Sequence, residues 1–164
     1  MKFEEYEARF QADCYTVQME PGCTVSGPFL EFTVLPDLPP WSMELFIRFP
    51  DGMYSRVWEQ YDRAAGTPSH GQRLQFALHY GPTPANVDVR GLPLWRSEDR
   101  CELRIDLDTW HGPHIHFGGE DHITQNRVKR LDIRTMTPIV FLRGIMEHRS
   151  TQRTLPEVFG FEVA

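Results

Sequence analysis

Residues 101–117 read CELRIDLDTWHGPHIHF, and this stretch decides the fold that the chain predicts. Apolar and polar residues alternate along residues 101–108, which places them on opposite faces of a β-strand. The segment TWHGP that follows has the composition of a turn, and the four residues after it alternate again. The stretch therefore predicts an antiparallel hairpin.

The predicted hairpin has a definite register if residues 109–113 form a five-residue loop. Polar residues then face polar residues and apolar residues face apolar ones. The predicted pairs are Asp108 with His114, Leu107 with Ile115, Asp106 with His116 and Ile105 with Phe117.

Other segments predict more strands. Residues 30–34 and 73–80 alternate with the same period, and residues 43–61 contain the turn sequence PDG at 50–52 between two aromatic-rich stretches. Residues 10–19 predict a strand with a bulge or bend near Cys14, because the apolar parity changes there. Residues 1–9 fit helix or strand, and Val87 and Val89 indicate a short strand within a long polar loop at 81–100.

The end of the chain predicts one strong helix. Thr137 has the side chain of an N-cap, Pro138 suits the first helical position, and an apolar stripe follows to near Arg149. Gly144 inside this helix favours close packing against the sheet. Phe159, Phe161 and Val163 favour a last strand. The predicted fold class is α+β, a single domain over residues 1–164 with a β-rich antiparallel sheet, barrel or sandwich and one C-terminal helix.

Composition and charge exclude several classes of protein. The net charge of −6 is concentrated in residues 1–62, which hold four basic and eleven acidic residues, so non-specific binding to nucleic acid or anionic membrane is not expected. Three cysteines without CxxC spacing predict neither a disulfide framework nor a zinc knuckle. No signal-peptide pattern or long apolar run is present, so a cytoplasmic protein without a membrane span is expected.

The histidines of the hairpin lead to the most specific chemical prediction from the sequence, which is a metal site. His114 and His116 lie on one strand face, where two imidazoles can share a divalent metal such as Zn, Mn or Fe. His122 is a further candidate ligand, and His79 is a more distant one. The other candidate roles are these: Glu120 and His111 in catalysis, and Asp106 and Asp108 as acceptors that orient the imidazoles.

Two alternatives to a metal site stay open from the sequence. Facing aspartate and histidine side chains attract each other and stabilise a sheet by roughly 0.2–1 kcal/mol per pair without any further role. The histidines also suit acid–base chemistry or anion binding. A short basic run after the hairpin is a candidate contact for phosphate, and nucleic acid is expected as a partner only through it: Arg127, Lys129, Arg130 and Arg134.

Two local resemblances arise at residues 111–120, HGPHIHFGGE. His114, His116 and Glu120 resemble the HxHxxxE core of the cupin metal motif, which implies a β-barrel with those residues as ligands. The glycines that flank this core in cupins are replaced by Asp108 and Arg127. His111, Pro113, His114 and His116 are similar to an H-x-P-H-x-H tract in small prokaryotic proteins, some of toxin–antitoxin type, in which a C-terminal helix follows the tract.

The sequence leaves two functions open, and with them whether the chain is an enzyme. The first is a metal-assisted hydrolase or nuclease-like toxin built on the histidine hairpin. The second is a non-catalytic binding protein, such as an antitoxin, immunity or counter-defence factor, whose acidic N-terminal surface with Glu4, Glu5 and Glu7 engages a basic protein partner.

Overall fold

The computed structural model describes residues 8, 10–12, 16–32, 41–63, 71–96 and 99–164, and its fold is α+β and rich in strands. The strands are β1 Thr24–Phe32, β2 Trp41–Arg48, β3 Met53–Arg63, β4 Gly71–Pro82, β5 Leu103–Asp108, β6 Gly112–Phe117, β7 Glu120–Thr124, β8 Val128–Lys129 and β9 Glu162–Val163. The α-helices are α1 Pro138–Thr151 and α2 Leu155–Phe159, and two 3-10 helices span Gln125–Arg127 and Ile133–Thr135.

The first seven strands form one antiparallel sheet in chain order, with β1 and β7 at its edges. Strands β8 and β9 form a second, two-stranded sheet. The predicted fold class is confirmed, and among the described residues the large sheet does not close into a barrel. Within the large sheet, strands that follow each other in the chain are also hydrogen-bonded neighbours.

One face of the large sheet is apolar and packs under the helix α1. A row of cross-strand partners runs across β3 to β7 on this face: Val57, Leu78, Ile105, Ile115 and Ile123. The apolar side chains of α1 that join the same buried cluster are Phe141, Leu142 and Ile145. Burial of each such side chain contributes about 1.5–3 kcal/mol, and this layer holds the fold together.

The opposite face of the sheet carries polar and charged residues, so the same strands can supply side chains that bind a ligand or react. One row of cross-strand partners on this face is Phe46, Arg56, His79, Arg104 and His116. The adjacent row is Glu44, Trp58, Ala77, Asp106, His114 and Thr124. Leu92, from the loop that joins β4 to β5, packs with Phe46 and Tyr54 over part of this face.

The β5–β6 hairpin is present, but its register differs from the predicted one by two residues. Asp106 pairs with His114, Arg104 with His116 and Asp108 with Gly112, so the loop has three residues, 109–111, instead of five. Asp108 causes the shorter loop, because its carboxylate accepts hydrogen bonds from the backbone N–H groups of Trp110 and His111. A shift of two residues keeps every side chain on its predicted face.

Helix α1 confirms the predicted cap and start. The Thr137 hydroxyl accepts a hydrogen bond from the backbone N–H of Val140 at 3.4 Å, and Pro138 occupies the first turn. Gly144 does permit a close approach, but the neighbour is the ring of Phe159 in α2 and not the sheet. The chain turns back after α1, and this brings α2 against it.

Three smaller predictions have mixed outcomes. Residues 10–12 are helical, so the strand predicted from residue 10 is wrong there, and Cys14 lies outside the described residues. Phe159 ends a helix that has a capping box at Thr154 and Glu157, so only Glu162–Val163 remains of the predicted last strand. Val87 forms a single bridge with Pro93 and no longer strand.

Within the described residues, no helix combines the length and the apolar character that crossing a membrane requires.

Candidate metal centre

Four histidine rings converge at one end of the β5–β6–β7 segment. The ring centroids of His111 and His122 lie 4.2 Å apart in a stacked arrangement, and His114 lies 4.9 Å from His122 and 5.1 Å from His116. His116 and His122 are also 4.9 Å apart. The structure thus brings together four of the five histidines that the sequence analysis named, and His79 is the exception.

Strands β5 and β6 place the buried part of this cluster. His114 and His116 follow each other on the same face of β6, and Asp106 lies directly opposite His114 on β5. All three are buried. One Asp106 carboxylate oxygen, Oδ2, lies 3.5 Å from His114 Nε2 and 3.3 Å from His116 Nε2. Asp106 is therefore the acceptor that both imidazoles share.

The tight turn between β5 and β6 places His111. Asp108 Oδ1 accepts from the backbone N–H of Trp110 at 2.9 Å and also from that of His111, while Asp108 Oδ2 lies 3.2 Å from His111 Nδ1. One carboxylate thus holds both the turn and the imidazole. Because Nδ1 of His111 is occupied in this way, its Nε2 is the nitrogen left to bind a ligand.

A β-bulge at the start of β7 places His122. The register between β6 and β7 shifts after Ile115, so that Asp121 and His122 together oppose His116. His122 adopts the left-handed backbone conformation with φ of 53°, which costs a side-chain-bearing residue about 1 kcal/mol. Bulges of this kind re-aim a side chain, and here the imidazole joins the other three. Gly118 and Gly119 close the preceding turn, both with positive φ.

The ligand atoms fall into two overlapping groups. In each group the nitrogen and oxygen atoms lie within 4.8 Å of one another, and His114 belongs to both. The open group comprises His111, His114 and His122, and the closed group comprises Asp106, His114 and His116. Both groups could hold a metal ion, since imidazole and carboxylate are common ligands of divalent metals.

The tautomer of His114 limits how these groups can be used. Its Nδ1 lies 2.9 Å from the carbonyl oxygen of Gly112, which can only accept, so Nδ1 donates. Nε2 is then the one nitrogen of His114 that can bind a metal, and it must first lose the proton that it donates to Asp106. Because both groups need that atom, they are alternatives for a single ion.

Charges around the cluster shift its pKa values in opposite directions. Burial alone would raise the pKa of Asp106, but the hydrogen bonds from His114 and His116 and the charge of Arg104 hold it well below its usual range. Burial alone would lower the pKa of His114, but its bonds to Asp106 and to the Gly112 carbonyl raise it. Burial and the neighbouring histidines lower the pKa of His122.

The cluster opens into a cavity of about 220 Å³ whose walls include Trp95 and Arg104. The Arg104 guanidinium stacks 4.1 Å from the centre of the Trp95 ring, and Arg104 Nε lies 2.7 Å from Asp106 Oδ2. Asp121 also lines the cavity, and its Oδ1 lies 3.2 Å from His116 Nδ1. Each carboxylate of the cavity thus contacts at least one imidazole.

Other predicted site residues lie elsewhere in the contact network. Glu120 belongs to neither ligand group and forms an ion pair with Arg127, which also donates to the Ala164 carbonyl. Lys129 donates to the Asn126 carbonyl, and Arg130 pairs with Glu162. The structure therefore shows partners within the protein for the side chains of Arg127, Lys129 and Arg130. His79 is buried away from both groups, between Tyr54 and Trp95.

Three residues of the cavity were not singled out from the sequence: Trp95, Arg104 and Asp121. Asp121 precedes a candidate histidine, so its position in the sequence was a usable signal. Arg104 belongs to the polar face of the predicted strand, but nothing there marks it as a cavity residue. Trp95 comes from the long loop before β5, whose path the local sequence does not predict.

No protein-family model, curated protein or solved structure matches this chain. Glu4, Glu5 and Glu7 lie outside the described residues, so the acidic binding surface stays a prediction.

Proposed function

We propose that this chain is a metal-dependent hydrolase that holds one divalent ion, preferably zinc, on His111, His114 and His122. The observation that supports the proposal most is that these imidazoles converge from three different structural features. One comes from a turn closed by Asp108, one from a strand and one from a bulge with a strained backbone. Strain that gathers histidines around one cavity is typical of a functional site.

The open group of histidines suits the ion better than the closed group. In the closed group Asp106 already binds Arg104, whose Nε lies 2.7 Å from the carboxylate oxygen that a metal would need. An ion there would be repelled by the guanidinium. Three imidazoles with two of them exposed leave room for further ligands, as in catalytic zinc sites with three protein ligands.

The surrounding residues have distinct roles in this proposal. Asp108 orients His111 and Gly112 orients His114, so both of these imidazoles present Nε2 to the ion. Arg104 and the buried Asp106 form an ion pair in the wall of the cavity. A bound divalent ion would supply Lewis acidity and would activate water toward an electrophilic centre. The cavity of about 220 Å³ admits a small substrate or the reacting end of a larger one.

Metal content tests the first half of the proposal. The expected result is one equivalent of zinc in the purified chain, measured by elemental analysis, and a loss of affinity of more than roughly 100-fold in His114→Ala and in His122→Ala. His116→Ala should weaken zinc binding less, because His116 lies outside the open group. His148→Ala is the matched control, since His148 contacts the Arg153 carbonyl and not the cluster.

Two results would contradict this assignment of ligands. If His116→Ala abolishes binding while His122→Ala does not, the ion occupies the closed group. If wild-type protein binds zinc, cobalt and iron no better than the His114→Ala variant does, the cluster is a set of stabilising aspartate–histidine pairs.

Activity tests the second half. Zinc-loaded and metal-free protein would be compared on a panel of carboxylic esters, phosphate esters and amides. The expected result is hydrolysis of one class by the loaded wild type that His122→Ala and chelation both abolish. Tight zinc binding without activity on any class would make the site structural.

A further inference from the structure

Three buried side-chain polar atoms have no hydrogen-bond partner among the described residues: Tyr54 Oη, His79 Nε2 and Trp95 Nε1. Their rings pack in a row. The ring centroids of Tyr54 and His79 are 5.1 Å apart, and those of His79 and Trp95 are 5.5 Å apart. Folded proteins leave few buried polar groups unsatisfied, because each costs about 1–3 kcal/mol. Three such atoms on neighbouring rings indicate that a small polar partner binds beside them.

We name the group formed by Tyr54, His79 and Trp95 the recess, and it adjoins the metal-centre cavity through Trp95. Trp95 belongs to both, since its ring lines the cavity and contacts His79 at the edge. Tyr54 and His79 are buried and do not line the cavity. The recess is therefore a separate site, and nothing in it depends on a bound metal.

The charges around the recess disfavour a cation. His79 faces Arg56 on β3 and Arg104 on β5 as direct cross-strand neighbours, and the Arg104 guanidinium lies over the Trp95 ring. Asp106 and His116 are the other titratable groups that act on His79. Burial first, and then the two arginines, lower the pKa of His79 to about 3, so its ring is neutral.

The hydrogen-bonding chemistry of the three atoms defines the occupant. The indole N–H of Trp95 can only donate, so the occupant needs an acceptor atom. The Tyr54 hydroxyl can donate to the same acceptor, and neutral His79 can complete the set. We propose that the recess binds one small oxygen acceptor, supplied by water or by the carboxylate of a small molecule, and that it does not bind metal ions.

The stability of a tyrosine variant tests whether the recess is occupied. Tyr54→Phe removes the hydroxyl and nothing else. If an oxygen acceptor binds there, the variant loses a satisfied hydrogen bond and its Tm falls; if the hydroxyl is truly without a partner, its removal raises Tm. Tyr80→Phe is the matched control, because buried Tyr80 accepts a hydrogen bond from Arg149 at 3.0 Å and its Tm should fall. A rise for Tyr54→Phe beside a fall for Tyr80→Phe would overturn the proposal.

The indole resonance of Trp95, assigned by its loss in Trp95→Phe, distinguishes the two sources. In protein without added small molecules, a nuclear Overhauser contact to a long-lived water identifies water as the occupant. A saturable shift on addition of acetate or formate identifies a carboxylate. The absence of both responses would overturn the proposal. In the His114→Ala variant zinc should leave this resonance unchanged, and a saturable zinc shift there would contradict the exclusion of metals.

Discussion

At His122 an unfavourable backbone conformation accompanies a side-chain position that suits metal binding. Its left-handed conformation is unfavourable for a residue with a Cβ, and the bulge that imposes it puts the imidazole beside three others. Metal binding would offset that cost. Burial first, and then the charges of the neighbouring histidines, lower the pKa of His122.

Replacement of His122 should separate stability from binding. In His122→Gly the positive φ carries no strain, so we expect the metal-free protein to gain about 1 kcal/mol of unfolding free energy while zinc affinity falls. Urea unfolding in a chelator and zinc titration would measure the two effects. Arg130 also has positive φ, at 69°, and lies outside the site, so Arg130→Gly should stabilise without any change in zinc affinity. Destabilised His122→Gly protein would contradict the assignment of strain.

His79 predicts a pH dependence of stability. Its pKa in the folded protein is about 3, below the ordinary 6.5, so the unfolded chain binds a proton at acidic pH that the folded chain does not. Stability from this residue is complete above pH 6.5 and declines as pH falls toward 3. Between pH 7 and 5 this loss is about 2 kcal/mol, and His79→Gln should lack it. Urea unfolding of both proteins at the two pH values is the measurement, and equal losses would contradict it.

At this scale the sequence predicted some of the site and missed the rest for identifiable reasons. Alternation was enough to place His114, His116 and Asp106 on one face, since side-chain direction follows parity in a strand. His122 could not be assigned a direction, because the bulge at Asp121 and His122 breaks that parity. The partnership of Trp95 with His79 depends on a long loop, and local sequence does not predict such contacts.

The β5–β6 hairpin was predicted correctly, but the residues that face each other across it were predicted incorrectly. Hydrophobic alternation is unchanged when one strand slides by two residues, so it identifies the faces but not the partners. The Asp108 carboxylate favours the observed register, because it accepts hydrogen bonds from two backbone N–H groups of the three-residue turn. An aspartate before a turn is a recognisable signal for such closure.

Helix α1 meets α2 at a contact that should tolerate no added volume. A Cβ at residue 144 would overlap the Phe159 ring. Alanine favours a helix interior over glycine by about 1 kcal/mol, but overpacking costs about 1–3 kcal/mol, so we expect Gly144→Ala to lower stability by about 1 kcal/mol. In a Phe159→Ala background the same change should stabilise, and urea unfolding of the four proteins would measure this coupling. Stabilisation in both backgrounds would contradict the contact.

At the scale of the molecule, Arg149 connects three separate parts of the chain. Its guanidinium donates two hydrogen bonds to Glu20, lies 3.1 Å from Asp51 in the β2–β3 turn and donates to Tyr80 on β4. It also stacks 4.0 Å from the centre of the Phe49 ring. The side chain is 9% exposed, so water competes weakly for these contacts. Arg149 thus holds α1 to the sheet and to the segment before β1.

Loss of this connection should destabilise the whole fold. We expect Arg149→Met to lower the unfolding free energy by about 2–3 kcal/mol, because it leaves acceptors that had charged donors without partners. Arg153→Met is the control, since Arg153 forms an exposed pair with Glu147 that contributes about 0–1 kcal/mol. Equal losses in the two variants, measured by urea unfolding, would show that Arg149 is not a special contact.

The architecture was largely predictable, since strand alternation and the capped helix are strong local signals. Two whole-molecule features were not. Residues 155–159 form a helix because Thr154 and Glu157 cap it. The apolar spacing of Phe159, Phe161 and Val163 also fits a strand, so the local pattern did not distinguish the two structures. The cover that Leu92 provides over part of the polar face depends on tertiary packing, and a local pattern does not report it.

All residues of the two ligand groups lie between positions 106 and 122, within three consecutive strands and the turn that joins the first two of them. The loops that a metal would close are therefore short, and little chain entropy is involved in their closure. A bound ion would suppress local opening of this segment far more than it would slow global unfolding. Amide hydrogen exchange would then become slower in β5 to β7, while β1 and β2 would exchange at nearly their metal-free rates.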